Sequence, residues 1–387
     1  MGIISAIGDS AAKNRQSLSA GICGIGHIEL FASRYAGILP CGEIKIPTDN
    51  LKQVLQSKEP GVTRTSLLAL HAVREAISDA GLTPEEVSSA GTCLIGATTV
   101  GGMCLTDELY HDAHKDKEGS EYLSSYDCAS VNMYLQEHLR LKGLINTINT
   151  ACSSSANAIM YGARLLRNGF ARRAIVGGVD SLAKFTINGF NALHILSGQI
   201  CRPFDRDRSG LNLGEGAAFL VLEREQDVPH KKQLASLSGY CNANDAYHPS
   251  SLSDQGDGPY LAMKGALESA GLSSADIDFI NAHGTATENN DLVESTSMLR
   301  LFGQVPSFCS SKSNTGHTLG AAGAIGAAYS ILSLAHGEIY PSLGFEQPIT
   351  QTGLKPATDY RQMHLEHVMS NSFGFGGNCT SLIFSKS

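Results

Sequence analysis

The sequence predicts an α/β fold made of two halves of the same kind, and two internal echoes carry that expectation. The first pairs Ala76-Ile77-Ser78-Asp79-Ala80-Gly81 with Ala266-Leu267-Glu268-Ser269-Ala270-Gly271. Beyond Gly81, Leu82 to Val87 leads into the apolar run Thr92-Cys93-Leu94-Ile95-Gly96. Beyond Gly271, Leu272 to Ile277 leads into Asp278-Phe279-Ile280-Asn281-Ala282-His283. Each copy reads as an amphipathic helix, a glycine C-cap, a short acidic turn and a buried strand. The second echo lies further on: Asn149-Thr150-Ala151-Cys152 opens one small-residue helix, and Asn314-Thr315-Gly316-His317 opens another. Duplicated strand–helix units bring two equivalent helix N-termini together, one bearing Cys152 and the other His317.

Taken in order, the first half carries an apolar strand at Gly143 to Ile148. A buried helix follows, marked by Ile159, Met160, Ala163, Leu165 and Leu166. Cys152 is therefore expected at a strand-to-helix turn, on the first helical turn. Unpaired N–H groups and the positive end of the helix dipole would there favour the thiolate. Taken alone, a small buried core cysteine is the competing reading. The span from glycine cap to key residue is about 25 residues longer in the first half. Its insertion, Asp107 to Tyr134, is polar and irregular enough for a loop or lid.

Bulk properties narrow the class. A 387-residue chain fits two domains or two fused halves. Apolar content of 42%, 41 glycines and no tryptophan describe a packed globular protein. No apolar run approaches the roughly 18 residues that cross a bilayer, so no membrane role is expected. The N-terminus lacks a basic region ahead of an apolar core, so no signal peptide is expected. Ten cysteines without CxxC pairs point to a reduced, cytoplasmic protein without zinc or disulfides. A net charge of −8 disfavours nucleic acid as the main partner.

Three further segments join Cys152. His283, in Asn281-Ala282-His283-Gly284-Thr285-Ala286-Thr287, emerges at a strand end, where open sheets present catalytic groups. Ser311-Lys312-Ser313-Asn314-Thr315-Gly316-His317 sets a lysine and a histidine on a loop and helix start. Asn371-Ser372-Phe373-Gly374-Phe375-Gly376-Gly377 is a glycine-dense turn able to aim N–H groups at a ligand. Singly, a hydrogen-bonded core histidine, a solvated lysine and a plain turn are the bland alternatives. Together they form a set suited to holding a thioester and an enolate oxygen. The helix-start context and the lack of a further well-spaced Cys or His argue against zinc.

These motifs resemble the β-ketoacyl-acyl-carrier-protein synthase family of the thiolase-like fold, in its elongating Cys-His-His branch, similar to synthase II. The matching segments are Thr150 to Ser154, Asn281 to Thr287, Lys312 to His317 and Asn371 to Gly377; Phe204 to Gly216 resembles the family's arginine/acid segment, read as structural. The resemblance implies two duplicated βαβαβαββ-type halves in a five-layered α-β-α-β-α core. Residues 1–226 would hold the nucleophile and lid insertion, and residues 227–387 both catalytic histidines. It implies that Cys152 accepts the acyl group, and that His283 and His317 support decarboxylation of a malonyl donor and hold the enolate. Lys312 would orient them. The amides of Cys152 and Phe375 would form the oxyanion hole, with Phe375 also gating the pocket. Thr285 and Thr287 would contact the carrier's phosphopantetheine arm, and Val100 and Phe190 would line the acyl tunnel. No cofactor or metal is implied. The partner would be an acyl-carrier protein bearing acyl and malonyl thioesters, met by a homodimer or by a heterodimer with a related subunit.

Departures from the family pattern point to a specialised polyene or polyketide synthase. Gly2 to Gly8 is short for the family's first strand. Gly326 stands where an acidic partner of Lys312 is expected, leaving Asp291 and Glu294 as substitutes within salt-bridge distance. A buried lysine without one would cost about 3–5 kcal/mol. Asn378-Cys379 replaces a polar residue followed by Asn. The alternatives are a non-elongating, chain-length-setting subunit, which usually lacks the cysteine, and a degradative coenzyme A thiolase, which the histidine pair disfavours.

Overall fold

The computed structural model describes residues 1–115, 119–228, 230–231 and 233–387. Five strands form one sheet: β1 (Gly2–Ser5), β2 (Thr92–Ala97), β3 (Ile145–Ile148), β4 (Arg173–Asp180) and β5 (Gly216–Glu223), in the order β1-β5-β4-β2-β3. The second sheet holds β6 (Ser236–Asn244), β7 (Phe279–Asn281) and β8 (Ser307–Cys309). After the short ribbon β9 (Glu338–Ile339) and β10 (Arg361–Gln362), it is completed by β11 (His367–Phe373) and β12 (Asn378–Ser385). Its order is β6-β12-β11-β7-β8. Position for position the two orders are the same, and so are the directions. In each sheet the first three strands of that order pair antiparallel, and the last three parallel.

Twelve helices are described. The first half carries α1 (Ala11–Ser19), α2 (Thr48–Leu55), α3 (Arg64–Asp79), α4 (Pro84–Val87), α5 (Thr106–Lys115), α6 (Ala129–Leu139), α7 (Ser154–Arg167) and α8 (Lys184–Ala192). The second carries α9 (Asp257–Ala270), α10 (Glu288–Phe302), α11 (Lys312–Thr315) and α12 (Ala322–His336). Helices α7 and α12 pack on each other between the sheets, while α3 and α9 cover the outer faces, which makes five layers.

The first echo is visible in the fold. Gly81 and Gly271 end α3 and α9 with φ of 62° and 70°, where a side chain would be strained. The acidic turns are capping boxes, Thr83 with Glu86 and Ser273 with Asp276. Strands β2 and β7 follow, buried on both faces.

Two expectations change. The stretch 107–134 is largely helical in its described part, with α5 and α6 joined through a 3-10 turn at Leu123–Ser125, rather than an irregular loop. The helical run Leu319–His336 is long and apolar enough to cross a membrane, although no such run was expected. Most of it is buried, because a helix sandwiched between two sheets is apolar all round.

Candidate active site

Cys152 lies in the turn between β3 and α7. Helix α7 begins at Ser154 with Ser153 as its cap, so Cys152 precedes the first turn rather than sitting on it. The turn is tight: Ala151 adopts a left-handed φ of 53°. Ala286 (φ 63°) and Leu319 (φ 52°) do the same beside Thr285 and His317. Such strain, about 1–3 kcal/mol per residue, collects where neighbouring packing dictates a functional geometry. Cys152 is buried, and the backbone N–H groups of Phe375 and of Cys152 itself point at its sulfur. Burial pushes its thiol up to about 11, against the lowering by Lys312 and by these N–H groups. The resting group is therefore a thiol, not the thiolate expected from the helix dipole. Loss of water outweighs the dipole here.

His283 follows β7, and His317 precedes α12. Both are 2% exposed. Their rings stand edge to face, with centroids 5.5 Å apart. The Leu319 N–H donates to His317 Nδ1 at 3.1 Å, which leaves the proton of the neutral ring on Nε2. Lys312 Nζ lies 3.3 Å from His283 Nδ1 and also donates to the His283 carbonyl. An ammonium only donates, so His283 likewise keeps its proton on Nε2. Burial, and then the Lys312 charge, hold both imidazoles well below their usual pKa. Both are neutral near pH 7, and each has an Nε2–H left to give.

Lys312 does not have the salt bridge expected of it. Among the described residues no carboxylate lies within 4.0 Å of its ammonium. Glu294, on α10, is its strongest attractive neighbour, but that carboxylate is occupied at 2.8 Å by the N–H groups of His283 and Gly284. Burial raises Glu294 to about 7 and lowers Lys312. Asp291 is committed elsewhere, accepting from the N–H groups of Phe204, Thr285 and Ala286. The acid near the lysine thus comes from α10 and not from α12. Gly326 packs instead against Asn281 and Ser370, and its carbonyl accepts from Asn281 at 2.7 Å.

Cys152, His283, His317, Thr285, Thr287, Phe190 and Phe375 line one cleft of about 630 Å³. Phe190 on α8 stacks on Phe375, with centroids 5.8 Å apart and planes 18° apart. The hydroxyls of Thr285 and Thr287 are 2.8 Å apart. Gly374 has no room for a Cβ, which would come within 2.7 Å of the Thr150 carbonyl; this lets the Phe375 turn close on the nucleophile. Lys312 stands behind His283 and does not reach the cleft surface. Val100 is also outside it, fully buried in an apolar cluster with Leu182, Ile187 and Leu319 against which Phe190 packs.

Two side chains were not singled out from the sequence. Asp180, at the end of β4, accepts from the Thr98 and Thr99 hydroxyls, the N–H groups of Thr99 and Val100, and Gly320 N–H at 2.6 Å. It ties the Val100 turn to the segment after His317, and burial raises its pKa. An acid closing a buried strand was its only signal in the sequence. Arg208, within the segment read as structural, lines the cleft and donates to the Thr287 and Glu288 carbonyls.

Residues 1–228 match the family described as Beta-ketoacyl synthase, N-terminal domain, and residues 234–346 match its C-terminal domain. The chain is 31% identical to 3-oxoacyl-[acyl-carrier-protein] synthase 2 of Vibrio cholerae over 100% of its length and 97% of that protein's. It is also 31% identical to synthase 2 of Staphylococcus aureus, over the same shares. Among solved structures it is similar to the ishigamide ketosynthase/chain length factor (TM-score 0.91, 27% identity, covering 100% of this chain and 97% of that one). A second likeness is to a ketosynthase in complex with its chain length factor from Xenorhabdus doucetiae (TM-score 0.83, 31% identity, 100% and 96% covered).

Proposed function

The chain belongs to the β-ketoacyl synthase family as a condensing acyltransferase, and we propose that Cys152 takes the acyl group while His283 and His317 hold the enolate. The observation that carries these roles is that one cleft collects a buried thiol and two neutral imidazoles whose Nδ1 atoms are both occupied. In the first half-reaction the sulfur attacks an acyl thioester, and the carrier's thiol leaves. The N–H groups of Cys152 and Phe375 are placed to receive the oxyanion. In the second, malonyl-carrier protein loses carbon dioxide, and the enolate oxygen takes hydrogen bonds from the two Nε2–H groups. The enolate carbon then attacks the Cys152 thioester carbonyl, the carbon–sulfur bond breaks, and the β-ketoacyl group leaves on the carrier while the Cys152 sulfur regains a proton. Lys312 holds His283 in the required tautomer, and Phe375 backed by Phe190 closes the acyl pocket. Thr285 and Thr287 receive the phosphopantetheine arm, and Val100 shapes the pocket wall from behind Phe190.

The carrier partner is an acyl-carrier protein, in keeping with the names of the synthases the chain resembles. Edge strand β3 leaves one side unpaired, with Leu144 and Met133 exposed nearby, which supports a homodimer or a heterodimer with a related subunit. Ten free cysteines suit a reducing, cytoplasmic setting. A division at residues 226/227 is supported by the change from β5 of one sheet to β6 of the other across it. A second reading, a chain-length-setting subunit, draws on the likeness to ketosynthase/chain length factor pairs. The nucleophile in place weighs against it. The test is acylation with a panel of acyl-carrier-protein thioesters, read by intact mass, followed by malonyl-carrier protein. A chain that takes no acyl group, or takes one and never extends it, refutes the assignment.

A further inference from the structure

The departure at Asn378 falls in a polar cluster that spans the two sheets behind the nucleophile. Asn378 Oδ1 accepts from Ser153 Oγ at 2.7 Å, Asn157 Nδ2 at 2.8 Å and Asn242 Nδ2 at 2.7 Å. Ser153 caps α7 and follows Cys152, Asn157 lies one turn further along, and Asn242 sits on β6. Asn157 also donates to Thr150 Oγ1 at 2.8 Å, on the other side of Cys152. The main-chain carbonyl of Asn378 works in a second direction. It accepts from Gly374 N–H at 2.8 Å, at the point where any side chain on Gly374 would run into the Thr150 carbonyl and the Cys152 amide. One residue therefore grips both segments whose amides point at the sulfur. Among the described residues none of its partners hydrogen-bonds to His283, His317 or Lys312.

We propose that Asn378 is a positioning residue for acyl transfer, setting the Cys152 turn and the Phe375 turn against each other, and that it is dispensable for decarboxylation. The inference rests on the half-reactions assigned above. An oxygen with two lone pairs that meets three donors is a fully committed acceptor, and an aliphatic side chain there unties all three from it: Ser153 Oγ keeps only Thr150, Asn157 Nδ2 keeps only Thr150 Oγ1, and Asn242 Nδ2 keeps Asn157 Oδ1 and Thr380 Oγ1. The two turns then lose their common anchor. A shift well under 1 Å between sulfur and amides suffices to slow attack strongly. The enolate side keeps its own supports, Leu319 N–H and Lys312.

The test compares Asn378→Ala, and the milder Ser153→Ala that removes one donor, with the parent. Single-turnover acylation is expected to fall by about tenfold to a hundredfold in Asn378→Ala and severalfold in Ser153→Ala, with KM for the acyl-carrier protein unchanged. The pH midpoint for iodoacetamide alkylation of Cys152 should rise in both, because an amide that lowers the thiol pKa is displaced. In a Cys152→Gln background, malonyl-carrier-protein decarboxylation should stay within about twofold. Parental acylation and an unmoved alkylation midpoint in Ser153→Ala would overturn the inference. So would a loss of decarboxylation equal to the loss of acylation. A parent that never acylates refutes the assigned half-reactions instead, while the alkylation profile still reports on Asn378.

Discussion

Replacing Lys312 with methionine separates catalysis from stability at this site. The side chain keeps its length but loses the ammonium that donates to His283 Nδ1 and to the His283 carbonyl. Two charge-assisted hydrogen bonds disappear, each worth about 1.5–3 kcal/mol. Against that, a buried charge with no carboxylate in contact is removed, and its desolvation was costing several kcal/mol. Glu294, already raised to about 7, takes up a proton when the opposing charge goes, so no ionised carboxylate is stranded. The opposing changes leave stability within about 2 kcal/mol of the parent. Catalysis has no such compensation. His283 can then carry its proton on Nδ1, and the cleft loses one of two directed donors, an effect worth about a hundredfold to a thousandfold in rate. The assay is decarboxylation of malonyl-carrier protein in a Cys152→Gln background, alongside urea unfolding. Parental decarboxylation by Lys312→Met would refute the tautomer role. A stability loss beyond about 5 kcal/mol would show that the lysine is truly paired.

Cys152→Ala should form no acyl adduct and condense nothing, whereas Cys152→Gln should still decarboxylate malonyl-carrier protein; an adduct of normal stoichiometry on the alanine variant ends the assignment. Alkylation of Cys152 in the parent should climb with pH toward about 11 rather than level off near neutrality, since the buried group rests as a thiol. His283 and His317 have folded pKa values depressed below 6.5, so their contribution to stability is complete above that pH and is lost as pH falls below it. The acid limb of stability should steepen by about 2.7 kcal/mol per pH unit for the pair, and His317→Ala should remove about half of that slope. Phe190→Ala removes the stack on Phe375, worth about 0.5–1.5 kcal/mol, and should slow acylation about twofold to tenfold while admitting bulkier acyl groups; an unchanged substrate range argues against a gate.

Much of this protein is legible in one dimension because its signals are local. Gly81 and Gly271 stop helices through backbone conformation alone. Thr83-Glu86 and Ser273-Asp276 cap within a single turn, and the echo between the halves follows from equal spacing. Cys152, His283, His317 and the Phe375 turn could be gathered because their segments mark strand ends, helix starts and a glycine-dense turn, which duplicated halves bring together; Thr285, Thr287 and Phe190 came only with the family resemblance, and all of them line one cleft. What the chain could not reveal depends on distance through space and on lost water. The Cys152 dipole pointed to a thiolate, but burial decided for the thiol. Asp291 and Glu294 were expected to bridge Lys312, and Glu294 on α10 is indeed its nearest acidic influence, yet that carboxylate is spent on the His283 and Gly284 amides. Asn378, a mere departure in the sequence, gains three donors from residues as far as 225 positions away. Local chemistry fixes which elements form. Only packing decides which buried polar groups meet, and a proton's place inside a protein depends on those meetings.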